Sequence, residues 1–238
     1  MTDLPANPKN GLQQDPQRDV FMFRYTPILA LLFSIFTSVK ILAAEPQWES
    51  VKNEDGIHIY LRDVSGSDIQ AFKGEVKIQS SIESLLALLL DEESCPEWVY
   101  QCIEPAVVER VSEDEHIFYQ ANDMPFPSTN RDVLFRMRIT EDPTTKVATV
   151  YFENTADYCK KKDSLVCKKI NRSEYVRIQT FTGFYQFTPA GNGWTHVTWE
   201  QHIEPGGNLP NWLVNSLLVD IPFNSLKGMV ALISRYQK

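Results

Sequence analysis

The four cysteines, Cys95, Cys102, Cys159 and Cys167, are the residues whose spacing points most directly to chemistry. Neither near pair has the short separation of a zinc knuckle, so metal binding is not indicated. Four cysteines allow three disulfide connectivities. Each near pair would close a short loop between regular elements. We therefore predict the disulfides Cys95–Cys102 and Cys159–Cys167, with the crossed pairings as alternatives.

Titratable side chains that could act in catalysis are sparse. His196, Glu200 and His202 share one face of a predicted strand, but their spacing spans too far for one tetrahedral metal site. The sequence contains no Gly-x-Ser-x-Gly elbow, no His-Glu-x-x-His helix and no glycine-rich phosphate loop. We predict no catalytic residue, no metal ion and no cofactor.

The elements that must position these residues are mainly strands. Apolar and polar residues alternate in GIHIYLRD, FKGEVKI, VLFRMRI, VRIQTFTGFYQFTP and WTHVTWEQHIE, which is the pattern of a sheet with one wet face. Hairpin turns and the lack of strand–helix–strand spacing favour an antiparallel sheet. Short helices are expected at QWESV and at SSIESLLALLLDEE, with Ser80 as the N-cap. The fold class is therefore α+β.

The segment EPGGNLPNWLVNSLLVDIPFNSLKGMV predicts a long C-terminal helix with Asn208 as its N-cap and a kink at Pro222. At about 100° per residue its apolar arc is roughly twice the width of an ordinary surface helix. One sheet contacts only one stripe of a helix. The remaining apolar surface must meet either the SIESLLALLL helix and loops or an apolar hollow, and the arc alone does not choose between them.

The N-terminal segment has the order of a secretory signal. A lone Arg24 precedes the apolar run PILALLFSIFTSV, and Ala43-Ala44 follow as a cleavage site. We predict that residues 1–44 form an N-terminal extension and signal peptide, with Met22 as a second candidate start, and that residues 45–238 form one domain. The expected location is exported, periplasmic or secreted. The alternative is a membrane anchor that retains residues 23–44.

Charge argues against one class of partner. The chain has a formal net charge of −8, so nucleic-acid binding, which needs a basic face, is not expected. The local basic tract CKKKDSLVCKK reads as a solvated hairpin tip, or alternatively as a patch that touches anionic lipid.

Three spaced motifs give the chain a family resemblance: MPFPSTNRDVLF, EPGGNLPNWLVNSLLVDIPFNSLKGM and CPEWVYQC. Together they resemble the START family, the steroidogenic acute regulatory-related lipid-transfer domains, including its exported bacterial members. The likeness runs from Trp48 to Tyr236. It implies a helix-grip fold, in which a curved antiparallel sheet wraps the long C-terminal helix and encloses an apolar tunnel.

The resemblance also implies site residues. Gly206 and Gly207 would hinge a lid formed by the last loop and helix. Arg131 would either form a structural salt bridge or direct its guanidinium into the tunnel toward a phosphate or hydroxyl. Phosphatidylcholine-binding members carry a basic residue shortly before the tryptophan of SCPEW, and this chain does not. The expected ligand-binding residues are Trp98, Tyr119, Arg131, Phe135, Trp199, Trp212, Leu213, Leu218 and Ile221.

The function expected from the resemblance is non-enzymatic. A monomer would bind a single phospholipid, sterol-like molecule or other long apolar ligand, and would transfer it between membranes through transient membrane contact. The alternatives are an enzyme of related fold that acts on a hydrophobic substrate, and a membrane-tethered lipid sensor.

Overall fold

The computed structural model describes residues 47–171 and 174–237, so the predicted signal segment and start site lie outside the described residues. Strands dominate these ranges, as the alternating patterns predict. The strands are β1 Glu49–Glu54, β2 Ile57–Arg62, β3 Ala71–Ile78, β4 Cys102–Arg110, β5 Glu115–Asn122, β6 Arg131–Glu141, β7 Ala148–Asn154, β8 Val176–Arg177, β9 Thr180–Pro189 and β10 Thr195–Glu204. The α-helices are α1 Ile82–Leu90, α2 Cys95–Trp98, α3 Leu165–Ile170 and α4 Asn211–Leu232.

The strands form one sheet in the order β1-β2-β3-β10-β9-β7-β6-β5-β4, in which all neighbours are antiparallel. This confirms the antiparallel prediction, with one exception. The segment VRIQTFTGFYQFTP is not a single strand, because Ile178 and Gln179 separate β8 from β9. The short β8 lies beside β6 in parallel.

The predicted QWESV helix is wrong, since Glu49–Glu54 forms the edge strand β1 and pairs with β2. Asp55 and Gly56 connect the two strands, with φ values of 54° and 76°. Asp-Gly is a strong signal for a two-residue hairpin because both turn positions require positive φ. The pairing of β1 was therefore readable from Asp55-Gly56.

Two predicted helix caps also need correction. Helix α1 is capped by Ser81 rather than Ser80, because the Ser81 hydroxyl accepts a hydrogen bond from the backbone N–H of Ser84. The N-cap of helix α4 is Pro210 rather than Asn208, and no side chain of the described residues caps the helix. The helix continues through Pro222 to Leu232.

Helix α4 uses its wide apolar arc against several neighbours. Leu226 and Met229 are fully buried in the main core with residues of the sheet and of α1, while Leu213 and Leu217 pack on Met124 in the β5–β6 loop. Gly228 lies against α2, where an added Cβ would stand 2.6 Å from the carbonyl oxygen of Trp98. By length and composition, residues 212–236 could also cross a membrane, but half of the most apolar 18-residue window in that stretch is buried inside the fold.

A lobe formed by residues 158–170 covers the face of β5 and β6 that points away from the main core. It consists of a 3₁₀ turn, Tyr158–Lys161, and α3, so the predicted hairpin tip is wrong. Its buried Cys159, Cys167 and Ile170 pack on Ile117 and Leu134. We call this element the outer lobe.

The lysines of the outer lobe are largely neutralised. Four of them lie close to carboxylates, in the pairs Lys160–Asp157 at 2.6 Å, Lys162–Glu109 at 2.9 Å, Lys168–Asp163 at 2.6 Å and Lys169–Glu104 at 3.3 Å. Such pairing removes most of the field that would attract anionic lipid. The basic tract therefore favours a solvated surface over a lipid-binding patch.

Candidate ligand-binding cavity

A cavity of about 140 Å³ lies among α2, the first half of α4 and the inner face of the sheet. Its volume is close to that of buried apolar cavities that hold a small aromatic ring. The apolar and aromatic side chains around it include Trp98, Val99, Phe118, Phe135, Met137, Phe152, Phe181, Tyr185, Trp199, Leu217 and Ile221. The sequence left open whether the apolar surface of α4 packs on other elements or lines a hollow. In the structure it does both: it packs on other elements along the helix, and its first half also lines this cavity.

Nine ligand-binding residues were expected. Five of them line this cavity: Trp98, Arg131, Phe135, Trp199 and Ile221. Tyr119 borders the cavity, but its side chain packs in the cluster beneath the outer lobe. Trp212 is 68% exposed. Leu213 packs on Met124 and Leu218 packs in the main core, and neither borders the cavity.

Several lining residues were missed by the sequence reasoning, although strand alternation points to them. Inward positions on a strand recur every second residue. Phe181 and Tyr185 lie on one face of β9, and Gln201 lies on the same face of β10 as Trp199, which was predicted. All four border the cavity. The strand residues of the cavity wall were therefore predictable from the alternating pattern. That α4 lines the cavity with Leu217 rather than Leu218 was not.

Aromatic ring contacts stabilise the part of the cavity wall that the sheet forms. The rings of Tyr185 and Trp199 stack with centroids 4.8 Å apart, and Phe72 meets Trp199 edge-on at 4.9 Å. Such pairs are favourable beyond their apolar area because they match ring edges and faces. Burial raises the pKa of the Tyr185 phenol well above its ordinary value, so this ring stays neutral.

Arg131 is a buried cation that holds the loop before α4. It is 3% exposed, and its guanidinium donates to the carbonyl oxygens of Thr129, Pro205 at 3.4 Å and Gly206 at 3.1 Å. Burial lowers the pKa of Arg131, but a guanidinium stays protonated in proteins. No carboxylate of the described residues forms an ion pair with it. The geometry thus makes Arg131 a clasp on the loop that contains the two predicted hinge glycines.

Asp132, the next residue, points to the other face of the sheet and has different partners. Its carboxylate is fully buried and accepts two hydrogen bonds from Arg177, at 2.6 and 2.9 Å. The Tyr119 hydroxyl donates to it at 3.2 Å. The structural salt bridge expected at this motif therefore belongs to Asp132 and Arg177, and it ties β8 to β6 beneath the outer lobe.

Gly206 and Gly207 have φ values of 63° and 66°, which L side chains rarely adopt. We expect Gly207→Ala to speed ligand exchange several-fold, because its Cβ would lie 3.1 Å from Nη2 of Arg131 and disturb the clasp. The backbone strain should cost about 1–2 kcal/mol. Stopped-flow release of a fluorescent lipid gives the exchange rate, and a urea titration gives the free energy of unfolding.

Gly193→Ala is the matched control. Gly193 has a φ of 74° in the β9–β10 hairpin, and no atom of the described residues outside its chain neighbours lies within 4 Å of an added Cβ. It should carry similar backbone strain with unchanged exchange. Equal exchange rates in both variants would contradict a role for the Arg131 contact.

Both predicted disulfides are present, which confirms the local pairing. Cys95–Cys102 and Cys159–Cys167 have Cα–Cα distances of 6.0 and 4.9 Å. The first closes a loop whose Trp98 and Val99 line the cavity. The second staples the outer lobe. The two bridges therefore constrain opposite faces of the sheet.

Replacing Cys95 and Cys102 together by serine should lower the free energy of unfolding by about 2.5 kcal/mol through loss of loop closure in the unfolded chain. It should also shorten ligand retention, because a cavity wall is released. The same change at Cys159 and Cys167 should have a similar stability cost with normal retention. Urea unfolding and retention of a fluorescent lipid on gel filtration measure the two effects. Equal retention in both double variants would argue against the first bridge as a cavity support.

The histidine group lies away from the cavity. Trp199 and Gln201 line the cavity, so the alternate residues His196, Glu200 and His202 point to the opposite face of β10. Burial raises the pKa of the Glu200 carboxyl. Within the described residues, no group of three histidine, cysteine or acidic side chains is placed to hold a metal ion.

Comparisons with known proteins agree with the geometry. A family model described as the START domain matches residues 37–238. An uncharacterized protein of Pseudomonas aeruginosa is 29% identical over 208 residues, which cover 87% of this chain and 95% of that protein. Phosphatidylcholine transfer protein of Rattus norvegicus is 23% identical over 194 residues, covering 80% of this chain and 86% of that protein.

Among solved structures, the STAR-related lipid transfer protein of Xanthomonas axonopodis superposes with a TM-score of 0.68 and 27% identity, covering 79% of this chain and 98% of that one. The large antiparallel sheet and its C-terminal helix confirm the predicted helix-grip fold. By its family match and its fold, the chain belongs to the START domain family.

Proposed function

We propose that this domain binds one lipid in the cavity beside α4 and transfers it between membranes. The observation that carries the proposal is the apolar, aromatic-walled cavity beneath the C-terminal helix, in a chain of the START family. Burial of apolar area contributes roughly 25 cal/mol per Å², so several hundred Å² of buried acyl chain could offset loss of the bilayer.

The cavity volume sets a requirement on this function. At about 140 Å³ the cavity is smaller than the usual range for drug-sized ligands. A complete lipid therefore requires α4 or its preceding loop to move outward during loading. The Arg131 contacts to Pro205 and Gly206 are polar contacts that such a movement would break.

We place the membrane contact at the end of the molecule where α4 begins. Trp212 is 68% exposed there, and Phe126 in the β5–β6 loop is 97% exposed. The two segments belong together because Met124 of that loop packs on Leu213 and Leu217. Exposed aromatic rings partition favourably into a membrane interface. This end of the molecule also contains the loop held by Arg131.

The two disulfides support export, because such bonds persist mainly in oxidising compartments. We propose that the mature protein lacks residues 1–44 and acts as a shuttle, whereas a protein that retained residues 23–44 would act as a tethered sensor. N-terminal sequencing of the exported protein distinguishes the two. A mature form that still contains Phe33 would contradict the shuttle.

The test of transfer is the movement of a fluorescent lipid from donor to acceptor vesicles, with phospholipid, sterol and fatty acid probes. We expect the protein to accelerate movement of at least one probe well above the protein-free rate. If none of the three probes moves or copurifies, the transfer proposal fails and the enzyme alternative gains weight.

A further inference from the structure

Gln201 is a polar residue in an otherwise apolar row. It lies on the inner face of β10 after Val197 and Trp199, borders the cavity and is 3% exposed. Its side-chain oxygen accepts a hydrogen bond from the Trp199 indole N–H at 3.0 Å. Because an indole N–H can only donate, this contact fixes which amide atom is oxygen.

The remaining Gln201 nitrogen, Nε2, is buried and has no hydrogen-bond partner among the described residues. Buried amide groups in native proteins are nearly always paired, and each exception calls for an explanation. An amide held by Trp199 on one side and lacking an acceptor on the other is suited to receive an acceptor from a ligand.

A second donor on the cavity wall has the same property. Trp98 is 6% exposed, and its indole nitrogen Nε1 is buried without an acceptor among the described residues. Trp98 stands in α2, across from the sheet that carries Gln201, and both residues line the same cavity. Two residues of the cavity wall therefore carry neutral donors whose hydrogen bonds are not made within the described residues.

The two unpaired donors differ from Arg131 in charge, because they are neutral and Arg131 is a cation. The Arg131 guanidinium is engaged by the carbonyl oxygens of Thr129, Pro205 and Gly206, whereas Gln201 and Trp98 are neutral and surrounded by apolar rings. Burying an anion beside neutral donors is far more costly than burying an uncharged carbonyl. An ester or ketone oxygen matches this site better than a phosphate or carboxylate.

We propose that Gln201 and Trp98 form a specificity subsite that selects ligands carrying an uncharged hydrogen-bond acceptor, an ester or ketone oxygen, within the buried part of the molecule. This inference rests on the proposed lipid-binding function and deepens it. The two donors would distinguish acyl esters or ketosteroids from ethers or hydrocarbons of nearly the same shape.

The test compares two pairs of probes that differ mainly in the carbonyl oxygen. One pair is dioleoyl phosphatidylglycerol and its diether analogue, and the other is cholestenone and cholestene. We expect the wild-type protein to retain the carbonyl-bearing member of at least one pair about tenfold better, the size of one well-made hydrogen bond. Retention is measured by lipid extraction and mass spectrometry after gel filtration from vesicles containing equal amounts of both members.

The variants are Gln201→Met, which removes the amide donor with little change of shape, and Trp98→Phe, which replaces the indole donor by a smaller apolar ring. Each should reduce the preference ratio to about threefold or less. Gln186→Met on β9 and Trp194→Phe on the surface are matched controls that should keep the full ratio, because neither residue borders the cavity. A general loss of stability would affect both members of a pair alike, so the ratio separates recognition from folding.

Three outcomes would overturn the inference. If the wild-type protein retains both members of each pair equally, lipid binding stands but the subsite does not. If Gln201→Met and Trp98→Phe both keep the wild-type preference, other groups read the carbonyl. If no member of either pair is retained, the proposed function fails for these lipids and this inference fails with it.

Discussion

Leu217→Trp is expected to reduce lipid transfer at least tenfold while the domain remains folded. Leu217 lines the cavity from α4 and is nearly buried, so the larger indole would occupy space that a ligand needs. A cavity of about 140 Å³ leaves little room for both. Overpacking typically costs 1–3 kcal/mol, which a domain of this size should tolerate. Vesicle transfer and a thermal melt measure the two quantities.

Val230→Trp is the control on the same helix. Val230 is 43% exposed and lies outside the cavity lining, so its substitution should leave both transfer and the melt close to wild type. Leu218→Trp, in the main core, should destabilise the domain through overpacking without filling the cavity. A Leu217→Trp protein that folds and transfers lipid normally would exclude this cavity as the ligand site.

Asp132→Ala is expected to lower the free energy of unfolding by about 3–5 kcal/mol, the range for breaking one partner of a buried ion pair. The reason lies with the groups left behind. Arg177 would lose its bidentate carboxylate, and the Tyr119 hydroxyl would lose the Asp132 carboxylate as an acceptor in the same change. Urea unfolding monitored by tryptophan fluorescence gives the free energy.

The control for Asp132→Ala is Asp163→Ala, which removes an exposed carboxylate from the outer lobe. The Asp163–Lys168 pair is close at 2.6 Å, but both side chains are more than half exposed, so the expected change is below about 1 kcal/mol. If the two variants lose equal stability, the Asp132–Arg177 pair does not anchor β8 to β6.

The strands of the sheet were predictable because their inward-facing apolar residues recur at every second position. The same alternation, applied to Arg131 and Asp132, would have prevented one error in the predicted site. Arg131 and Asp132 are adjacent on β6, so their side chains must point to opposite faces. The alternation could thus have excluded a salt bridge between them and assigned Arg131 to the cavity side. It would also have separated Phe118, which faces the cavity, from Tyr119, which packs beneath the outer lobe.

Other features depended on contacts between residues distant in the chain. The apolar arc of α4 is too wide for the sequence to decide whether Leu217 or Leu218 faces the hollow. The use of Arg131 as a clasp depends on where residues 205–207 return after β10, which no local pattern encodes. The unpaired donor of Gln201 likewise becomes visible only when its contact with Trp199 is known.

The measurement that tests the central claim most directly is native mass spectrometry of the protein purified from its own cells without delipidation. We predict a population heavier than the chain by the mass of one lipid, in a one-to-one complex, and loss of that species in Leu217→Trp but not in Val230→Trp. A wild-type protein found only at its bare mass, with no lipid in its organic extract, would contradict the account.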